Sequence, residues 1–291
     1  MRVTELNMVS SFLNSVTSSR AKIDKLNKQL STQKRVNSMS DDPAAATSAL
    51  RLKDKLTQND QYQTNITFAS SMLSTTVSSL DAASDLIIRI DASLARATTA
   101  TDLAPFANDM KQMFEELMQI ANTNFNGKYI YGGTQTKDIP YTYDPVTNTV
   151  SMNPNGVAGS INLDVSPGIQ ESTNVSGAEV FNGKDTLDAV LAAYVALNNG
   201  RVPTAAERSA ITAANNRILT ASVKSGTSLT RLDNFQSQLE GQNTMLQSIL
   251  SQAQDTDVAK AIVELQHQQT ILDTSLKIGA QVIPKTLVDF I

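Results

Sequence analysis

The chain contains no cysteine, no tryptophan and only one histidine, His267, in 291 residues. The lack of cysteine excludes disulfides, thiolate metal sites and a cysteine nucleophile. A single histidine cannot provide the paired ligands of a zinc site. Aromatic residues make up 5%, which is lean for a compact enzyme and natural for helices packed through Leu, Ile, Val, Met and Ala. There is no basic excess: the net charge of -4 argues against nucleic acid as the main partner, since phosphate binding needs a basic footprint. No apolar run reaches the length of a membrane span. Met1 to Arg20 lack the hydrophobic region of a signal peptide, so any export is expected to proceed without a cleaved signal.

What the chain has is hydrophobic periodicity. Val9, Val16, Ile23 and Leu30 fall seven apart, with Phe12 and Leu26 at intervening positions. The pattern breaks at Val36 to Asp41. Asp42-Pro43 then reads as a helix start, because Asp caps well and Pro is tolerated at the first helical position. From there Ala45, Leu52, Asn59, Ile66, Leu73, Leu80, Ile87 and Leu94 repeat every seven residues. A helix of that extent would be about 75 Å long at 1.5 Å per residue. A third helix is expected from about Asp102, with Leu103, Phe106, Met110, Met113, Leu117 and Ile120 on one face and Gly127 as its stop.

Residues 128–203 differ in texture, with Gly, Pro, Asn and Thr and with period-two stretches at Tyr141–Tyr143 and Ile161–Val165. Asp144 to Asn148 reads as a hairpin turn, and a short helix is expected over Thr186 to Asn199, ending at Gly200. Thr204-Ala205-Ala206-Glu207 is a capping box. Beyond it Ile211, Ile218, Leu232, Leu239 and Leu246 keep the seven-residue step, interrupted by Ser225. A last helix is expected from Asp255-Thr256, carrying Val258, Ile262, Leu265, Leu272, Leu276 and Ile283, with Gln269 and Gly279 as misses.

The fold class is therefore mainly α. Long N- and C-terminal helices form a coiled-coil-like bundle around an inserted β-rich (α+β) middle domain. Five segments follow: a terminal helix over 1–42, a helical rod over 43–127, the outer domain over 128–203, the returning rod over 204–254 and a second terminal helix over 255–291. Each terminal helix is too narrow-faced to be stable alone, so residues 1–40 and 256–291 are expected to pair and to be disordered in a free monomer.

No catalytic constellation is visible, and no enzymatic activity, cofactor or metal is expected. His267 stands in Gln266-His267-Gln268-Gln269 without a motif, there is no nucleophile elbow, and Gly177 to Asp185 departs from a phosphate loop in spacing and in its last residue. Glu115-Glu116 reads as a solvated face and Asp41-Asp42 as a helix-start device. Tyr129, Tyr131, Tyr141 and Tyr143 read as packing across a small sheet, with glycan or base binding as the sharper option. Seven basic residues lie in 1–40 against Glu5 and Asp24, whereas five acids outnumber three lysines in 255–291. Either the two helices are charge-matched or both faces are simply solvated.

Leu26 to Ala46, a run that includes Lys34-Arg35-Val36-Asn37 and Asp41-Asp42-Pro43, closely resembles the N-terminal motif of the bacterial flagellin superfamily. Asp257 to Leu265 and Leu287-Val288-Asp289-Phe290-Ile291 resemble its C-terminal helix. Flagellins usually show Arg-Ile-Asn and a glycine soon after the Asp pair. Here Val36 and Ala44-Ala45-Ala46 stand instead, which is more like the hook–filament junction branch, as is Asn126 to Thr134. Pro284 points the other way, toward some flagellins. The similar regions cover roughly 1–130 and 205–291.

This resemblance implies a structural, extracellular flagellar subunit, exported unfolded by the type III apparatus with a chaperone on its C-terminal helix. It implies packing of terminal helices between copies in a ring, between hook-associated protein 1 and flagellin. The interface residues it points to are Val9, Val16, Ile23, Leu26, Leu30, Val36, Asn37, Asp41, Asp42, Ile262, Leu265, Leu272, Leu276, Ile283 and Leu287. Flagellin itself is one alternative. A helical stalk displaying a glycan-binding or enzymatic domain, or a cytoplasmic coiled-coil scaffold, are others.

Overall fold

A computed structural model describes residues 2–282. Among the described residues seven helices and six strands follow in chain order: α1 (Arg2–Thr32), α2 (Pro43–Ala97), α3 (Ala104–Ala121), β1 (Asn124–Phe125), β2 (Lys128–Tyr129), β3 (Tyr141–Asp144), β4 (Thr149–Met152), β5 (Asn162–Ser166), β6 (Ile169–Ser172), α4 (Gly177–Val180), α5 (Asp185–Asn198), α6 (Ala205–Gln254) and α7 (Val258–Val282). The mainly α class with strands confined to the middle holds. The strands form three separate antiparallel hairpins rather than one sheet. None of the described helices is long and apolar enough to cross a membrane.

Two compact units divide the chain: residues 59–241, and residues 1–58 with 242–291. In the first, α2 buries Leu80, Leu86, Ile87, Ile90 and Leu94. α3 buries Met110, Met113, Phe114 and Leu117, and α6 contributes Ile211, Ala214, Ile218 and Ala221 to the same cluster. Ser225, which interrupts the heptad row, is buried because its hydroxyl donates to Ala221 O at 2.9 Å and so needs no other partner.

Four readings need refinement. Gly127 does not stop α3, which ends at Ala121 with Asn122 as its cap; with Asn126 at φ 50° and Gly127 at φ 78° the pair forms the two-residue turn between β1 and β2, the conformation that Asn-Gly favours. α7 is capped by Asp257, whose Oδ1 accepts from Lys260 N at 3.0 Å, two residues later than expected. The tyrosines do not share a sheet face. Tyr131 and Tyr141 are core residues on either side of Phe181, with centroids 5.2 and 5.5 Å away, edge to face. Their hydroxyls donate to Ser79 Oγ at 3.0 Å and to Gly183 O at 2.8 Å, and burial holds both phenols well above their usual titration range. Glu116 is paired, accepting from Arg89 at 2.8 Å on an exposed face.

The hairpin β5–β6 folds onto α2 and α6 through Val165, which joins Ile66, Ala69, Leu73, Leu232 and Leu239 in a second apolar cluster. Asn65 Nδ2 donates to Asp164 O at 2.8 Å beside it.

Candidate assembly interface

The terminal helices α1 and α7 pack against each other. On α1 the less exposed positions are Val9, Phe12, Val16, Ser19, Ile23, Leu26 and Leu30, alternating three and four residues apart. That alternation is a coiled-coil seam. Val16 and Ser19 are buried. On α7 the matching row is Ala261, Leu265, Gln268, Leu272, Ser275 and Gly279. Sequence reasoning found Leu265 and Leu272 but missed the small and polar members between them. The signal was there: stepping alternately by three and four from Leu265 lands on each of them.

Ile262 and Leu276 lie outside that seam. With Val258, Val263 and Ile278 they are between 42% and 67% exposed on α7, and Leu13 is similarly open on α1. Helical spacing places Ile262 and Leu276 along one edge of the seam and Ile278 along the other, with Val258 in register with Leu265 at the first turn and Val263 on the far face. Thus α7 is apolar on both sides of the stripe that α1 covers. Ile283, Leu287 and Pro284 lie outside the described residues. His267 is exposed on α7.

The charge asymmetry has a local outlet. Among the described residues no ion pair joins α1 to α7. Instead Lys25 of α1 pairs with Asp41 at 3.1 Å and Arg35 with Asp42 at 3.1 Å. These acids hold the break between α1 and α2. Asp42 Oδ1 caps α2 by accepting from Ala45 N at 3.0 Å, with Pro43 at the first helical position. Asp41 Oδ2 accepts from Asn37 N at 3.1 Å and from Ser38 N and Oγ at 3.0 Å each. The hydrogen bond from Lys25, followed by the Asn37 amide, holds Asp41 far below the usual carboxylate range. The Ala45 amide, then Arg35, lowers Asp42.

A second break, between α6 and α7, lies alongside. Thr256 N donates to Gln33 O at 3.0 Å, Lys34 and Asp255 form an isolated antiparallel bridge, and Gln254 Nε2 reaches Val36 O at 3.3 Å. Val36 is buried, and Asn37 Nδ2 donates to Lys34 O at 2.7 Å. Val36, Asn37, Asp41 and Asp42 are therefore joint residues, whereas Val9, Val16, Ile23, Leu26 and Leu30 line a helix seam. The chemistry available is packing and hydrogen bonding. Among the described residues no group of three His, Asp or Glu side chains could hold a metal ion.

Residues 3–136 match the bacterial flagellin N-terminal helical region. Flagellar hook-associated protein 3 of Salmonella typhimurium is 32% identical over 187 residues, 62% of this chain and 57% of the relative. The Escherichia coli protein of the same name is 33% identical over 147 residues, 49% of this chain and 46% of the relative. The chain thus spans about half the length of the curated relatives it matches. A solved structure described as a flagellar hook-associated protein of Vibrio parahaemolyticus superposes with a TM-score of 0.63, at 18% identity, covering 74% of this chain and 100% of that one, a likeness of fold. Residues 3–136 therefore match the bacterial flagellin N-terminal helical region, and the chain is similar to flagellar hook-associated protein 3.

Proposed function

We propose that this chain is a structural, non-enzymatic subunit of the bacterial flagellum that forms the junction between hook and filament. The observation that carries the reading is the apolar surface of α7 on both sides of its seam with α1. A helix left apolar on two sides fits packing between neighbours, since such a surface gains free energy only when water is removed from it. Copies of the chain pack their terminal helices together in a ring, with hook-associated protein 1 on one side and flagellin on the other. The middle region, residues 128–203, faces outward. The location is extracellular, reached in an unfolded state through the type III apparatus with an export chaperone. The similarity to hook-associated protein 3 over 187 residues supports this choice over flagellin.

The purified chain, seeded with its own sheared aggregates, is expected to remain soluble. It is also expected to let flagellin grow from hook fragments capped with hook-associated protein 1, as scored by sedimentation and electron microscopy. Long filaments of the chain alone would make it a flagellin and overturn the junction assignment.

A further inference from the structure

Arg35 stands between the two helix breaks and bonds to both. Ala253 and Gln254 are the last residues of α6, and their carbonyls are among those a helix end leaves unpaired. Arg35 meets both of them: its main-chain N–H donates to Gln254 O at 2.7 Å, and its Nη2 donates to Ala253 O at 3.0 Å. Its Nη1 reaches Asp42 Oδ2 at 3.1 Å, while the other Asp42 oxygen caps α2. Gln29 of α1 donates to Arg35 O at 2.9 Å. One guanidinium thus puts positive charge at the carboxyl end of α6 and pairs with the carboxylate at the amino end of α2. Each is the sign that the helix dipole favours. The planar fork is what allows two bonds in two directions; a lysine would keep the charge without the geometry.

We infer that Arg35 is a positioning residue that couples the α1–α2 and α6–α7 connections into one joint, so that the two open and close together. Where the chain enters and leaves the α1–α7 pair, at the end that carries both connections, Arg35 is the side chain that bonds to both, and the direction of the pair relative to the first turns of α2 and the last turns of α6 is set there. This goes beyond the junction role and does not depend on it, because it concerns contacts within one chain.

The lack of native cysteine makes the test direct, since two introduced cysteines are the only labelling sites. One pair, Lys22→Cys with Lys55→Cys, reports the α1–α2 connection. A second, Gln247→Cys with Gln269→Cys, reports the α6–α7 connection. All four positions are exposed. Spin-label distance distributions are measured on the full chain with Arg35, Arg35→Lys and Arg35→Met. Arg35→Met is expected to abolish the narrow single-peaked distribution at both pairs, and Arg35→Lys to broaden both by less. Asp42→Asn, added to Arg35→Met, is expected to broaden neither further, because its partner is already gone. Where Arg35→Met loses helix content by circular dichroism, Arg35→Lys decides the matter. Broadening at the α1–α2 pair alone, or at neither pair, would overturn the coupling.

Discussion

The ring of Phe12 lies directly on Gly279. A methyl group on that glycine would overlap Phe12 Cζ and Cε2. The missing side chain on α7 is therefore the space in which the α1 ring sits, and it pins the register of the hairpin. Gly279→Ala should destabilise the α1–α7 pairing by about 1–3 kcal/mol through overpacking. Helix propensity alone predicts the opposite sign, since alanine in a helix is favoured over glycine by about 1 kcal/mol. Hydrogen exchange across α1 separates the two, and a second change of Phe12→Leu should recover part of the loss. An alanine variant with slower exchange in α1 would contradict the close contact.

The same seam bears on the behaviour of the free chain. Ser19, Ala261, Gln268, Ser275 and Gly279 supply little apolar area, whereas the first unit buries Leu, Ile, Met and Phe. Burial contributes about 25 cal/mol per Å², so α1 and α7 start with a small share of it. In dilute monomer their amides are expected to exchange orders of magnitude faster than those of α3 and α5. Protection equal to that of α3 would mean that the hairpin is stable without neighbours.

Much of this architecture was legible in the sequence because its signals are local. Asp42-Pro43, the capping box at Thr204 and the heptads of α2 each declare a helix without reference to distant residues. The α7 seam was harder, because hydrophobicity marks residues that dislike water without saying which neighbour covers them. Ile262 and Leu276 were expected at a subunit interface, and α1 leaves them exposed while covering Ala261, Gln268, Ser275 and Gly279. A seam built of small residues has no hydrophobic signature. The role of Arg35 was also hidden, since its partners Ala253 and Gln254 lie more than two hundred residues away and contribute main-chain carbonyls that no side-chain pattern encodes.

The start of α6 should respond to acid in a defined window. Thr204 N donates to Glu207 Oε2 at 2.6 Å and Glu207 N to Thr204 Oγ1 at 3.3 Å, while Arg201 Nη2 donates to Glu207 Oε1 at 2.7 Å. The Arg201 hydrogen bond, aided by Thr204, lowers the Glu207 carboxyl from 4.5 to about 2. Because the folded value is depressed, the stabilisation is fully present above pH 4.5 and is lost as pH falls toward about 2. Thr204→Ala should cost about 1 kcal/mol at neutral pH. Glu207→Gln should flatten the acid dependence in that window. Thermal melts between pH 2 and 7 check both, and an unchanged slope in Glu207→Gln would remove the capping box as its source.

Glu171 on β6 is almost fully buried, and its Oε1 meets the Arg231 guanidinium of α6 as an ion pair without a directed hydrogen bond. This pair and Val165 fasten the β5–β6 hairpin to the helices. Removing one partner of a buried pair costs roughly 3–5 kcal/mol, because the other charge is stranded. The Arg231 side chain is 56% exposed, so water reaches the pair and Arg231→Met should fall at or below the low end of that range. Adding Glu171→Gln removes the stranded charge and should restore much of the loss. Denaturant unfolding gives the totals, and exchange at β5 and β6 gives the location. If the double variant were as unstable as Arg231→Met alone, the loss would come from packing of the arginine stem rather than from the carboxylate.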